Sequence, residues 1–212
     1  MYKILLLSSL LYSFLLNASN QYYEIVEEDT LIFNISTIME SDKTIRVYEN
    51  NNRKHYTVFD STFNTIKYEF EDISDNSRIV VNQIDGKIVL KGILNGKEIS
   101  SELINDDVKW SQSITYTLHR FMFSKEEVEV FRIFRPDNFE PIIFKAVKAQ
   151  IDTVMINNAE IPVQKILLRA KGFKSVFWKG EYNFRISDGL FIKYIGKNGG
   201  PGSTETLIIL KE

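Results

Sequence analysis

Few residue groups in this chain are arranged for chemistry. Asn198-Gly199-Gly200-Pro201-Gly202 is glycine-rich enough to compare with a loop that cradles phosphate. Such a loop works by aiming the free N–H groups of a following helix at the anion. Here Thr206 to Leu210 follows with the β-branched look of a strand, and Pro201 removes a donor. The stretch therefore reads as a flexible connection between strands. The acid pairs Asp106-Asp107 and Glu126-Glu127 are the nearest candidates for paired carboxylates, but the first suits a helix start and the second a strand. No serine lies in a G-x-S-x-G elbow.

Histidine and cysteine set firmer limits. The only histidines are His55 and His119, and there is no cysteine. Disulfides, thiolate zinc sites, a cysteine nucleophile, a lipid-modified cysteine and a histidine-rich metal site are all excluded. A lone histidine beside aromatics reads as structural. With the triad, metal and phosphate signatures missing, the expectation is a protein that is not an enzyme and needs no cofactor. The formal net charge of -2 supplies no field to draw in nucleic acid or anionic lipid.

What remains is apolar and aromatic surface. Trp110, Phe177, Trp178, Tyr182, Phe184, Phe191 and Tyr194 are candidates to line a cavity, with Lys193 the one charge among the last of them. The elements that must position them are strands. Tyr182, Phe184 and Ile186 alternate with Glu181, Asn183 and Arg185, the period of a half-buried strand. Asp188-Gly189 then predicts a two-residue type I′ turn. That register sets Ile186 opposite Phe191, Phe184 opposite Lys193 and Tyr182 opposite Ile195. Lys193 then either snorkels to solvent at a sheet edge or meets the acidic head of an apolar ligand.

The same material extends upstream. Leu31–Thr37, Thr44–Tyr48, His55–Phe59, Thr65–Phe70, Arg78–Ile84, Lys87–Ile93 and Glu98–Leu103 all read as strands. Asp85-Gly86 and Asn95-Gly96 between them are strong hairpin signals. Asp106 to Met122 breaks the pattern. Trp110, Ile114, Leu118 and Phe121 recur at helical spacing, with Asp106 or Asp107 to cap the start and Ser124 with Glu127 as a second capping box. Val128–Phe134, Ile142–Ile156, Ile161–Ala170, the aromatic hairpin and Thr206–Leu210 complete the strands. The expected fold is mainly β, a curved antiparallel sheet or half-barrel meander packed around one amphipathic helix.

Met1-Tyr2-Lys3, the apolar run Ile4 to Leu16 and Asn17-Ala18-Ser19 have the three parts of a secretory signal peptide. The run is about thirteen residues, whereas a membrane span needs roughly twenty. Residues 1–19 are accordingly read as a signal peptide cut after Ala18 or Ser19, and 20–212 as a single β-rich domain with no transmembrane segment. The protein is expected to be exported to the periplasm or secreted.

Trp110, Phe177-Trp178, Tyr182, Asp188-Gly189, Tyr194 and Gly200-Pro201-Gly202 together resemble a family of uncharacterised exported bacterial β-proteins. In these a curved antiparallel sheet surrounds a helix, similar to the lipoprotein-carrier and lipocalin-like half-barrels. The resemblance spans about Gln21 to Glu212 and implies fold and compartment, with no site residues carried over. The leading expectation for function is an envelope protein that binds or carries an apolar small molecule or lipid. Two alternatives stand beside it: an interaction protein pairing with an envelope partner through a sheet edge, and a hydrolase of envelope glycan or lipid.

Overall fold

A computed structural model describes residues 17–27, 29–104, 106–172, 178–198 and 204–211. Residues 1–16 of the expected signal peptide, Phe177 and the glycine-rich stretch 199–202 lie outside the described residues. The chain forms one curved, open antiparallel sheet and a single described helix. The first meander is β1 (Asn17–Val26), β2 (Asp29–Met39), β3 (Lys43–Glu49), β4 (Arg53–Asp60), β5 (Thr65–Asp72), β6 (Ser77–Ile84), β7 (Lys87–Leu94) and β8 (Lys97–Ile104). After α1 (Ile114–Phe123) comes the second: β9 (Val128–Phe134), β10 (Pro141–Ile156), β11 (Ala159–Ala170), β12 (Trp178–Arg185), β13 (Phe191–Asn198) and β14 (Glu205–Lys211). The two join where β1 pairs with β14, Tyr22 opposite Leu210, which leaves β8 and β9 as the sheet edges. The expected cleavage point falls inside β1, where Ala18 pairs with Thr37 and Ser19 with Ser36.

Turn chemistry explains the close succession of strands. At Asp85-Gly86, Asn95-Gly96 and Asn157-Asn158 both central residues have positive φ, the geometry of a two-residue hairpin that follows the sheet twist. Alternate side chains then converge inward. Tyr68 and Phe70, Ile79 and Val81, and Ile88 and Leu90 form one buried cluster with Trp110 and Phe134. A second cluster gathers Tyr22, Phe33, Phe131 and Phe144 around Leu118 and Phe121 of α1. Burying each of those two helix side chains stabilises the fold by about 1.5–3 kcal/mol.

The helix is shorter than its sequence spacing suggested, and Trp110 is not on it. Ser113 is the N-cap and makes no side-chain capping bond. Asp106 instead forms an ion pair with Arg132, and Ser124 sits at the C-cap rather than opening a second helix. The segment before the helix is extended because its polar groups are committed elsewhere. Lys109 C=O accepts from Arg132 N–H, Ser111 N–H donates to Arg132 C=O, and Trp110 C=O accepts from Thr65 N–H. Gln112 completes this seam. Its Nε2 donates to Phe134 C=O at 2.7 Å, and its Oε1 accepts from Phe134 N–H and Trp110 Nε1–H, each at 2.9 Å. Its own N–H donates to the Thr65 hydroxyl. Residues 109–112 thus tie the last part of β9 to the start of β5 across the open side of the sheet.

The aromatic hairpin also departs from its expected register. Arg185 N–H donates to Leu190 C=O, and the Asp188 carboxylate accepts from both the Arg185 guanidinium and Leu190 N–H. These bonds hold a longer loop in which, of residues 186–190, only Gly189 has positive φ. A bulge between Asn183 and Phe184 then sets Tyr182 opposite Tyr194, Asn183 opposite Lys193 and Phe184 opposite Phe191.

The seam makes a quantitative prediction. Gln112→Ala leaves the Phe134 N–H and C=O and the Trp110 indole N–H without their partner, and should lower unfolding free energy by about 2–3 kcal/mol. Ser113→Ala, at a cap with no side-chain bond, should cost less than about 0.5 kcal/mol. Urea unfolding followed by tryptophan fluorescence distinguishes the two; equal effects would remove the seam's special role.

Candidate functional site

The curve of the sheet is not filled by α1. A cavity of about 720 Å³ remains between β2–β5 on one side and β9–β14 on the other, with the start of α1 across one end. Its buried wall is mostly apolar, with Phe33, Ile35, Phe70, Phe134, Phe144 and Leu168, and is interrupted by Thr57 and Asp72. Its exposed lining residues form the rim: Arg53, Asp75, Asp137 and Lys179 are charged, and Asn95 and Pro136 stand among them. Such a contrast between apolar wall and polar rim is typical of small-molecule sites.

The far wall depends on two glycines. Gly180 and Gly196 stand opposite each other on β12 and β13. A Cβ on Gly180 would lie 2.3 Å from the Tyr194 ring, and one on Gly196 2.4 Å from its hydroxyl oxygen. The missing side chains let Tyr194 lie flat across both strands, where it meets Tyr182 at a ring-centroid distance of 4.6 Å. Tyr22, Phe33 and Tyr48 continue the aromatic surface, at 5.3 Å and 4.7 Å.

The imidazole and phenols of the lining are held neutral. His55 packs edge-on against Tyr48 and Phe70, with its Nδ1 2.8 Å from the Tyr68 hydroxyl. Burial, reinforced by the positive charge of Arg53, lowers its pKa to about 4. The Tyr48 hydroxyl is pushed up to about 12, chiefly by burial, and burial also raises the Glu24 carboxyl. Asp72 behaves differently. Hydrogen bonds from Ser74 and Arg53 overcome its burial and hold its carboxyl below the usual range, so it stays charged and paired. Phenols and an imidazole that remain neutral at pH 7 can hydrogen-bond a ligand without offering it a charged nucleophile. Among the described residues no group of three or more His, Asp or Glu is placed to hold a metal ion.

A second cavity of about 650 Å³ lies alongside α1, with Tyr116, His119 and Phe123 in its wall. Ile35, Arg46, Thr115 and Phe191 line both.

The aromatic residues singled out in the sequence are distributed unevenly. Tyr182, Phe191 and Tyr194 line the larger cavity, and Phe184 and Phe191 the smaller. Trp110 is packed in the seam against Phe134 and lines neither. Lys193, opposite Asn183, also lines neither and does not share the Tyr182 face. Phe177 lies outside the described residues; Trp178 begins β12, its side chain outside them. Sequence reading missed Arg46, His55 as a lining residue, and the glycine pair. Gly180 and Gly196 carried a faint signal, a glycine inside each of two adjacent strands.

No family model matches the chain, and no curated protein matches it. Among solved structures it is similar to a β-barrel-like protein of a domain of unknown function, DUF1849, from Brucella abortus. The TM-score is 0.61 at 10% identity, covering 92% of this chain and 95% of that one. The hypothetical lipoprotein YmcC from Escherichia coli aligns more loosely, with a TM-score of 0.42 at 9% identity over 92% and 86% of the two chains. The first likeness establishes a shared barrel-like fold.

His55 gives the cavity a pH signature. An unfolded chain binds a proton at His55 near pH 6.5, whereas the folded one does so only near pH 4. Between those values the unfolded state holds the extra proton, so stability falls on acidification from pH 7 to pH 4.5, by about 2–3 kcal/mol from this residue. His119, also lowered by burial, acts in the same direction. His55→Gln should remove most of the slope in a pH series of urea melts. An unchanged slope would show that His55 is solvated.

Proposed function

We propose that this chain is an exported, non-catalytic envelope protein that holds an apolar, lipid-like ligand in the cavity between α1 and the sheet. The observation that carries the reading is the cavity of about 720 Å³, with a buried aromatic and aliphatic wall opening to a charged rim. Apolar surface left facing a hollow is poorly served by water, and a ligand tail covering it gains about 25 cal/mol per Å² of contact. Export rests on the charged, apolar and small-residue pattern of residues 1–19. No described helix is long and apolar enough to cross a membrane.

Partner binding through a sheet edge is less well supported. β8 is an edge, but Lys97, Glu98 and Glu102 along it are the charges that discourage strand addition. On β9, the other edge, Arg132 is already paired with Lys109 and Ser111.

The test is to extract protein purified from an envelope fraction and search the organic phase by mass spectrometry. A stoichiometric lipid-class molecule is expected. Ile208, half-buried in the cavity wall, supplies the matched variant. Ile208→Trp should fill the space, lower affinity for a neutral fluorescent naphthylamine probe by about tenfold or more, and shift Tm by only a few degrees. Clean extracts together with probe binding unaffected by Ile208→Trp would refute the carrier reading.

A further inference from the structure

Arg46 occupies the boundary between the two cavities, and its charge is not balanced there. β3 directs it inward, in register with Thr37 of β2 and Thr57 of β4. Its Nη1 donates to the Thr37 hydroxyl and its Nη2 to the Thr115 hydroxyl of α1 at 3.4 Å. The Tyr116 ring lies 5.6 Å from the guanidinium carbon. Its Nε is shut off from solvent with no hydrogen-bond partner, and among the described residues no carboxylate forms an ion pair with it. By contrast Arg53, Arg132, Arg135 and Arg185 each form an ion pair with an aspartate, although Arg132 Nη1, like Arg46 Nε, is buried without a hydrogen-bond partner.

A cation in this setting is expensive. Burial pulls the Arg46 pKa down, yet a guanidinium stays charged at any pH a cell meets. Two hydroxyls are neutral acceptors and leave the charge uncompensated. The Arg46 side chain itself lines both cavities, beside the hydroxyls of Thr37 and Thr115. On the other side of Arg46 the wall is Phe33, Ile35 and Phe191. A fork of N–H donors suits a head with two or more anionic oxygens, as in a carboxylate or a phosphate monoester.

We infer that Arg46 is the headgroup receptor of this cavity, and that the ligand is a single-chain amphiphile with an anionic head. The inference rests on the carrier reading above and narrows it from apolar molecules in general to anionic ones. The head lies at Arg46 with Thr37 and Thr115, and the tail runs along the aromatic wall towards Tyr182 and Tyr194.

Delipidated full-length protein is titrated with hexadecanoate, hexadecyl phosphate and hexadecanol, which share a tail and differ in the head. Wild type should bind at least one of the two anions about tenfold or more tighter than the alcohol. The stronger of the two identifies the head as carboxylate or phosphate. Arg46→Met should lower the anion to the level of the alcohol and leave alcohol binding unchanged. Arg46→Lys, which keeps the charge and loses the fork, should fall between. Equal binding of all three by wild type, a comparison that needs no variant, would overturn the headgroup assignment and leave the carrier reading standing. A preference that survives in Arg46→Met would do the same. Failure of every amphiphile to bind would overturn both.

Discussion

The carboxamide of Gln112 does for this fold what a missing strand pair would otherwise do. An open sheet of this length must leave two edges, and one of them, β9, presents backbone groups that need partners. Gln112 pairs with both backbone groups of Phe134 and with the Trp110 indole, while its own N–H anchors to Thr65. One side chain thereby completes the hydrogen bonding of two meanders that the sheet joins only at β1 and β14. The seam also dictates where α1 begins, because a residue so engaged cannot enter a helical turn.

The cavity follows from that placement. With α1 starting at Ile114, one helix of ten residues lies within a sheet built for something larger. Leu118 and Phe121 fill the space against Phe131 and Phe144, and the space towards β3 and β4 stays open. Its lining mixes Tyr48, His55, Tyr68 and Arg46 with apolar rings. The neutral members are tolerated because each has a partner or a raised or lowered pKa that keeps it uncharged. Arg46 lacks that escape, which is why its position carries meaning.

Legibility varied with the range of the interaction. The hairpins at Asp85-Gly86 and Asn95-Gly96 were plain, because a type I′ turn depends on two adjacent residues. Asp188-Gly189 misled for the same reason in reverse. Its loop is set by Asp188 reaching Arg185 and Leu190, and the resulting bulge moves Lys193 off the Tyr182 face. Trp110 fitted a helical spacing by coincidence, its true partners lying in β5 and β9. On β3 polarity does not separate the faces: Arg46 and Tyr48 line the larger cavity together with Val47, and Ile45 is buried as well.

The sequence by itself determined the strand content, most turns, the antiparallel meander and the lack of thiol or multi-histidine chemistry. These depend on side-chain period and on residues near one another in the chain. Only the tertiary structure decided which face of each strand is inside, where the helix starts and that a hollow remains beside it. Those outcomes depend on contacts between residues 22 or more positions apart, such as Gln112 with Phe134 and Arg46 with Thr115. Local pattern carries no record of such meetings, because a carboxamide or a guanidinium looks the same in sequence whether solvent or a distant backbone satisfies it.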